Sequence, residues 1–165
     1  MKAALVLVVF VTCIQVVGLS NDKDVLTARV VSVIDGNTLE ILGSDNETRK
    51  VVLAGIDSPE LTQEYGEKAR KFLEKIALEK SVTVQITGKD RKGTPIAIIT
   101  IEDKDPRIEL LKEGLAWTSE KNPIPDLESV RQKAQDKGKG LWKQDNPTPP
   151  WTFRREQSMM EAKSS

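Results

Sequence analysis

Apolar and polar residues alternate in five separate segments of the chain, and this pattern predicts five β-strands. The alternation is clearest where β-branched residues occupy every second position, as in Val82, Val84 and Ile86. The first three segments are joined by two short turns and so form a meander, whereas the last two flank a charged turn. The five segments are residues 26–34, 38–42, 48–54, 81–87 and 95–101.

A helical period of 3.6 residues separates the third predicted strand from the fourth. The apolar residues on the face of this helix are Tyr65, Ala69, Phe72, Leu73, Ile76 and Ala77. Two further helices are predicted to begin at Pro106 and Pro125, because proline is favoured at the first helical position, and to end near Gly114 and at Gly138. Three strands, a helix, two strands and two helices is the layout of an OB-fold barrel. The predicted fold class is therefore α+β, a five-stranded OB-fold β-barrel with three α-helices.

The two ends of the chain are predicted to lie outside the barrel. Lys2, an apolar run to Val17 and then small residues are typical of a secretory signal peptide, which we assign to residues 1–20. An uncleaved membrane anchor is the alternative, but the apolar run is short for a membrane span. The domain then comprises residues 25–155, and residues 156–165, which lack periodicity, are predicted to be a disordered tail.

A signal peptide implies a secreted, extracellular protein. Its cleavage would remove Cys13, which is the single cysteine of the chain, so no disulfide is expected. Asn46 begins an Asn-Glu-Thr sequon in a turn-like segment and is a candidate glycosylation site. We expect the mature chain to be a monomer that does not contact a membrane.

Charge and composition narrow the chemistry that the barrel can perform. Lysine and arginine number 25, and so do aspartate and glutamate, which argues against tight, non-specific binding of a polyanion. The chain has no histidine, which excludes histidine-based catalysis and the usual zinc and copper sites. Any catalysis must use carboxylates, cations, hydroxyls or a hard metal ion.

Several short motifs occur along the chain in a characteristic order. They are Asp35-Gly36-Asn37-Thr38-Leu39, the segment from Leu53 to Glu60, Gln63, Gly66, Glu113-Gly114-Leu115-Ala116-Trp117, Gly140-Leu141-Trp142 and Pro149-Pro150-Trp151. In this order and spacing, from residue 30 to residue 151, the set resembles the staphylococcal nuclease (thermonuclease-like) family. The resemblance implies an OB barrel with three helices. It also implies that active members cleave DNA and RNA with the help of one calcium ion.

The resemblance assigns a role to three retained positions and to one changed position. It implies that Glu60 is the residue that positions or deprotonates the attacking water. Asp57, the Ser58 carbonyl and Asn37 stand at the calcium-ligand positions, but Asn37 replaces an aspartate. Calcium affinity follows the number of charged ligands, so the resemblance implies weak calcium binding and no other cofactor.

The same resemblance shows that two arginines of the family are missing. Val52 and Thr94 stand where the family has the arginines that hold the phosphate. One such arginine can contribute about 10³–10⁵ in rate to a phosphoryl transfer, so their loss predicts little or no hydrolysis. The candidate replacements for phosphate binding are Lys50, Arg91 and Lys92. Lysine supplies a charge but lacks the two-pronged geometry of arginine.

These residues also have purely structural interpretations. Asp35 and Gly36 are expected to serve the turn, through an aspartate-to-backbone hydrogen bond and a positive φ. Asp57 would cap a turn, and Glu60 would sit favourably at the start of a helix. Packing is the expected role of Trp117, Trp142 and Trp151, and exposure in a solvated tail is that of Arg154 and Arg155.

Three functional hypotheses follow from the sequence. The leading one is a secreted nuclease-like protein with impaired catalysis, which binds nucleic acid, nucleotide or protein through the barrel. The second is an active calcium-dependent endonuclease that uses rearranged cations. The third is an extracellular matrix or secretion component without a nucleic-acid role. Whether the chain is an enzyme stays open at this point, with the missing arginines weighing against it.

Overall fold

The computed structural model describes residues 25–164. The strands are β1 (Val25–Val33), β2 (Thr38–Gly43), β3 (Thr48–Leu53), β4 (Ile56–Asp57), β5 (Ser81–Lys89), β6 (Pro95–Thr100) and β7 (Trp117–Thr118). The helices are α1 (Gly66–Ala77), α2 (Pro106–Lys112), α3 (Pro125–Asp136) and α4 (Pro150–Ser164), with a short 3-10 helix at Gly140–Lys143. The predicted signal peptide lies outside the described residues, and so does the last residue of the chain.

Five of the strands close into a barrel in the order β1-β2-β3-β6-β5. Neighbouring strands are antiparallel except β3 and β6, which run parallel and close the barrel. Alternate residues of each strand point inward and fill the interior, as the period of two predicts. The inward-facing residues with almost no exposure include Val30, Leu39, Ile41, Val51, Leu53, Val82, Val84, Ala97 and Ile99. The predicted five-stranded barrel of an α+β fold is confirmed.

Helix α1 packs on the barrel through the apolar face that its sequence predicted. Ala69, Leu73 and Ala77 of this face are fully buried. The helix begins abruptly, because Tyr65 adopts a left-handed conformation and Gly66 touches the carbonyl of Glu60. A Cβ at Gly66 would lie 1.8 Å from that oxygen, so only glycine fits there. This close contact fixes the loop that carries Glu60 against the start of the helix.

Helix α2 anchors the segment that follows the third strand. Asp105 caps the helix by accepting a hydrogen bond from the Arg107 backbone N–H, at 2.9 Å. The buried Arg107 guanidinium pairs with Asp105 at 2.6 Å and also donates to the Ala54 carbonyl at 3.0 Å. The link between β3 and β4 is therefore held by the Arg107 guanidinium, whose charge is neutralised by Asp105.

The structure has four α-helices where the sequence predicted three. The additional helix α4 includes residues 156–164, so the predicted disordered tail is wrong for those residues. Pro150 stands at the first position of α4, where its missing N–H costs no hydrogen bond, and Trp151 packs against Trp117. From Arg154 onward α4 is exposed. No helix within residues 25–164 combines the length and apolar character needed to cross a membrane.

Candidate active site

The turn between β1 and β2 is fitted closely against the start of the α1 region. Asp35 Oδ1 accepts a hydrogen bond from the Asn37 N–H at 2.9 Å, as the turn interpretation predicted. The expected positive φ at Gly36 is wrong, because the left-handed glycines of the described chain do not include it. A Cβ at Gly36 would instead lie 2.5 Å from Ser58 Cβ and 2.7 Å from Ala69 Cβ. Glycine is required there by close packing.

Asn37 connects this turn to the segment that carries the carboxylates. Its side-chain oxygen accepts a hydrogen bond from the Ser58 N–H at 3.3 Å, and its carbonyl accepts one from the Leu53 N–H at 2.8 Å. The amide therefore holds the loop after β4 in place. Ser58 is buried, and its hydroxyl has no hydrogen-bond partner among the described residues.

Glu60 is positioned by a compact loop before α1. Its N–H donates to Gln63 Oε1 at 3.2 Å, and its carbonyl accepts from the Gln63 N–H at 2.8 Å. The Gln63 side chain also donates to the Thr148 carbonyl at 2.5 Å, which ties this loop to the segment preceding α4. These contacts leave the Glu60 carboxylate pointing into the same space as Asp57.

Arg154 of helix α4 bridges the two carboxylates. Its Nη2 lies 2.7 Å from Asp57 Oδ2, and its Nη1 lies 3.1 Å from Asp57 Oδ1 and 2.7 Å from Glu60 Oε1. The Asp57 side chain is 20% exposed, Glu60 37% and Arg154 48%. One guanidinium thus engages both oxygens of Asp57 and one oxygen of Glu60, in the two-pronged geometry that makes such pairs strong.

Burial and charge act on Asp57 in opposite directions. Burial raises the pKa of Asp57 above its ordinary value, the hydrogen bonds and charge of Arg154 lower it, and the nearby Glu60 and Asp35 raise it further. The net direction is upward. The pKa of Arg154 is raised as well, chiefly by its hydrogen bond to Asp57. Asp57 and Arg154 stabilise each other's charge. At Asp57, however, the loss of hydration raises the pKa by more than the pairing with Arg154 lowers it.

The oxygen donors do not fit a calcium ion in this arrangement. Within residues 25–164, no group of three or more acidic, histidine or cysteine side chains is placed to hold a metal ion. Both Asp57 oxygens are engaged by Arg154, and the Asn37 side-chain oxygen is engaged by the Ser58 N–H. A calcium ion would have to displace a guanidinium that already offsets part of the negative charge of the two carboxylates.

A cleft of about 630 Å³ opens above these residues. Asn37, Asp57, Ser58 and Glu60 line it together, as the resemblance implied for one site. Val52 also lines it, so an apolar side chain stands where the resemblance implies a cation. The residues paired with Val52 on the two neighbouring strands are Thr38 on β2 and Ile96 on β6.

The candidate replacement cations differ in their positions. Arg91 lines the cleft, whereas Lys50, Lys92 and Thr94 are absent from its wall as far as the described residues show. Asp90 accepts hydrogen bonds from the Lys92 and Thr94 N–H groups, both at 2.8 Å, and these bonds lower the pKa of Asp90. Asp90 thereby shapes the turn between β5 and β6 that carries Arg91.

Sequence reasoning missed Arg154, which it assigned to a solvated tail. The contact joins residues 97 positions apart, and it depends on a chain of packing. Asp57 pairs with Trp117 across β4 and β7, the Trp117 and Trp151 rings meet edge to face at 5.7 Å, and Arg154 follows Trp151 by one helical turn. The available signal was a proline at a helix start followed by the aromatic residues Trp151 and Phe153.

The tryptophans pack against one another, as predicted. The rings of Trp117 and Trp142 meet edge to face at 4.5 Å, and Trp142 is buried. The candidate glycosylation site Asn46 is exposed in the turn between β2 and β3, with φ of 61°. Its glycosylation stays a prediction.

Comparison with known proteins gives the chain its relatives. The family model described as "Staphylococcal nuclease homologue" matches residues 50–144. A Haemophilus influenzae protein named "Uncharacterized endonuclease" is 36% identical over 141 residues, covering 85% of this chain and 78% of that protein. An Escherichia coli O157:H7 protein of the same name is 33% identical over 128 residues, covering 76% and 83%. The rice "Probable staphylococcal-like nuclease CAN1" is 33% identical over 108 residues, covering 65% of this chain and 33% of that protein.

Proposed function

This chain belongs to the staphylococcal nuclease family, and we propose that it is a secreted member that binds nucleic acid in the cleft but hydrolyses it weakly or not at all. The single observation that supports this most is the bridge from Arg154 to Asp57 and Glu60. The bridge places a protein cation where the family resemblance implies a metal ion and an attacking water.

The cleft retains the means to bind a phosphate. Arg91 and Arg154 both line it, and arginine suits phosphate because its N–H groups match two phosphate oxygens at once. Arg154 is held in one orientation by Asp57, so little side-chain freedom is lost when it contacts a ligand. Binding through these two residues is local, which is consistent with the zero net charge of the whole chain.

The cleft lacks the means to finish the reaction. One oxygen of Glu60 accepts a hydrogen bond from Arg154 and is therefore not free to position a water molecule. Val52 offers no charge to the phosphate oxygens as the bond breaks. The backbone N–H of Thr94 donates a hydrogen bond to Asp90, which holds Thr94 within the turn between β5 and β6. Calcium binding is correspondingly weak, because Asn37 removes one negative ligand and Arg154 engages another.

A second candidate function is an active endonuclease. The observation in its favour is that Arg91 and Arg154 approach the same cleft as Glu60 from two different elements. In this version the two arginines replace those missing at Val52 and Thr94, and they stabilise charge on the phosphate. The relatives named as endonucleases are consistent with it.

Binding and cleavage should be measured side by side on the chain lacking residues 1–20. We expect labelled single-stranded DNA to bind with an affinity that falls as salt rises. We also expect no cleavage of plasmid or single-stranded DNA with calcium beyond that seen with a chelator. The Glu60→Ala variant is the matched control, because it removes the candidate base at the cleft surface.

The outcomes separate the hypotheses. Calcium-dependent cleavage that disappears in Glu60→Ala would establish the active endonuclease and contradict impaired catalysis. Absence of any salt-dependent binding would contradict the nucleic-acid role and favour a matrix or secretion component.

A further inference from the structure

A second concave surface adjoins the cleft on the side of helix α4. This surface, here called the outer pocket, has a volume of about 590 Å³. It is lined by Arg91, Glu120, Lys121, Trp151, Arg154 and Arg155. All of these residues except Arg155 also line the cleft, so the two concavities share a wall and open into one another. A chain-like ligand can therefore run from one into the other.

The outer pocket contains both of the described arginines that have no acidic partner. Six of the eight arginines in the described chain form an ion pair with a described Asp or Glu, namely Arg29, Arg49, Arg70, Arg107, Arg131 and Arg154. The other two are Arg91 and Arg155, and both line this pocket. Arg155 donates to Thr152 Oγ1 at 3.2 Å, which leaves its charge uncompensated.

Lys121 adds a third free charge. It is exposed, and it forms no ion pair with any residue from 25 to 164. Glu120 is the single acid on the pocket wall. Three uncompensated cations against one acid, in a protein of zero net charge, mark this pocket as a place for an anionic ligand.

Trp151 indicates which class of anionic ligand suits the outer pocket. Its ring is half-buried, with an edge-to-face contact to Trp117, and it forms part of the wall of both concavities. An aromatic ring beside a row of cations is the arrangement that proteins use for single strands, in which unpaired bases stack while phosphates meet the charges. Bases in a duplex are already stacked and paired, so they cannot use it.

We propose that the outer pocket is a second phosphate subsite for single-stranded oligonucleotides, formed by Lys121, Arg155 and Arg91 around Trp151. This inference rests on the proposed nucleic-acid binding in the cleft and extends it to the path that a single strand takes beyond the cleft. The strand leaves the Asp57–Arg154 region and passes Trp151 toward Arg155. A ligand with one phosphate uses the cleft alone, whereas a longer strand uses both.

The test compares a short and a long ligand. Fluorescence anisotropy with labelled thymidylate dimer and octamer, over a range of salt concentrations, measures affinity for the unmodified chain and for Lys121→Ala and Arg155→Ala. Each variant is expected to weaken octamer binding by about fivefold or more and to lower the salt slope by about 0.7, the value for one lost single-strand phosphate contact. Dimer binding is expected to stay unchanged in Arg155→Ala, because Arg155 lines the outer pocket and not the cleft.

Lys133→Ala is the matched control, because Lys133 is an exposed lysine on α3 outside both concavities. Octamer binding that is equal in the unmodified chain, Lys121→Ala and Arg155→Ala would overturn the second subsite while leaving cleft binding intact. Equal losses in Lys133→Ala would also overturn it, since total charge would then explain the effect. Failure of the unmodified chain to bind either ligand would contradict the proposed function itself.

Discussion

Asp57 is the cleft residue whose pKa is subject to two opposing effects. Burial disfavours its charge, and Arg154 favours it. The raised pKa means that the folded state binds a proton at Asp57 more strongly than the unfolded state does. The associated stability is present below the ordinary value of 3.8 and is lost as pH rises through the raised pKa. Near neutral pH the protein therefore keeps a buried charge at a cost, as functional sites commonly do.

The variant Asp57→Asn removes this charge while keeping the shape of the side chain. We expect its stability relative to the unmodified chain to improve as pH rises from 3 to 7, because only the unmodified chain accumulates the buried charge. Urea unfolding at the two pH values measures the change. A relative stability that worsens with rising pH would show that pairing with Arg154 outweighs burial.

Gly66 tests the fit of the loop that carries Glu60. We expect Gly66→Ala to destabilise the fold by about 1–3 kcal/mol, because its Cβ would collide with the Glu60 carbonyl and force backbone movement. Thermal unfolding measures the effect. Gly88→Ala is the control, since a Cβ at Gly88 meets nothing within 4 Å. Equal melting temperatures of the two variants would mean that the tight approach at Gly66 is not required.

At the scale of elements, helix α4 decides what the cleft can do. It delivers Arg154 to Asp57 and Glu60, and its own first turns are held by Trp151 against Trp117. The remainder of the helix is exposed and contributes little burial. The side-chain contacts described for α4 therefore lie near its start, where Trp151 meets β7 and Arg154 meets β4 and the loop that carries Glu60.

Removal of the bridging arginine should free the carboxylates for a metal ion. We expect Arg154→Ala to bind calcium more tightly than the unmodified chain, because Asp57 and Glu60 regain unengaged oxygens. Isothermal titration calorimetry measures this directly. Arg155→Ala is the matched control, because Arg155 contacts Thr152 and neither carboxylate. Equal calcium affinity in Arg154→Ala and the unmodified chain would contradict the account of the bridge.

Local patterns predicted the barrel well because the alternation of apolar and polar residues within each strand identifies its buried face. The five barrel strands, three before α1 and two after it, have the predicted type and order. Helix α4 was missed because its stability comes from contact between Trp151 and Trp117, which lie 34 positions apart in the sequence. A pattern within the tail does not contain that information.

The candidate site was predicted only in part, again because patterns within a short segment do not contain contacts between distant residues. The family resemblance brought together Asn37, Asp57, Ser58 and Glu60, and all four line one cleft. The partner that changes their chemistry, Arg154, could not be found from spacing, because the fold alone brings α4 back to β4.

At the scale of the whole molecule, the two described arginines that lack an acidic partner, Arg91 and Arg155, both line the outer pocket. The other six arginines are paired with acids, so under the proposed function we expect arginine contacts to a polyanion to be made at the cleft and the outer pocket. Secretion and glycosylation at Asn46 are separate proposals, which mass spectrometry of the exported protein would examine.

The cleft retains Asp57 and Glu60, but it lacks the two arginines that the resemblance implies at Val52 and Thr94, and Arg154 engages both carboxylates. The variant Asn37→Asp, Val52→Arg, Thr94→Arg, Arg154→Ala restores all of these features, and its rate of calcium-dependent cleavage of single-stranded DNA should be measured. The account predicts a gain of at least about a hundredfold over the unmodified chain, since each family arginine is worth about 10³–10⁵, and loss of the gain when Glu60→Ala is added. Equal rates in the unmodified chain and this fourfold variant, both dependent on Glu60, would contradict it.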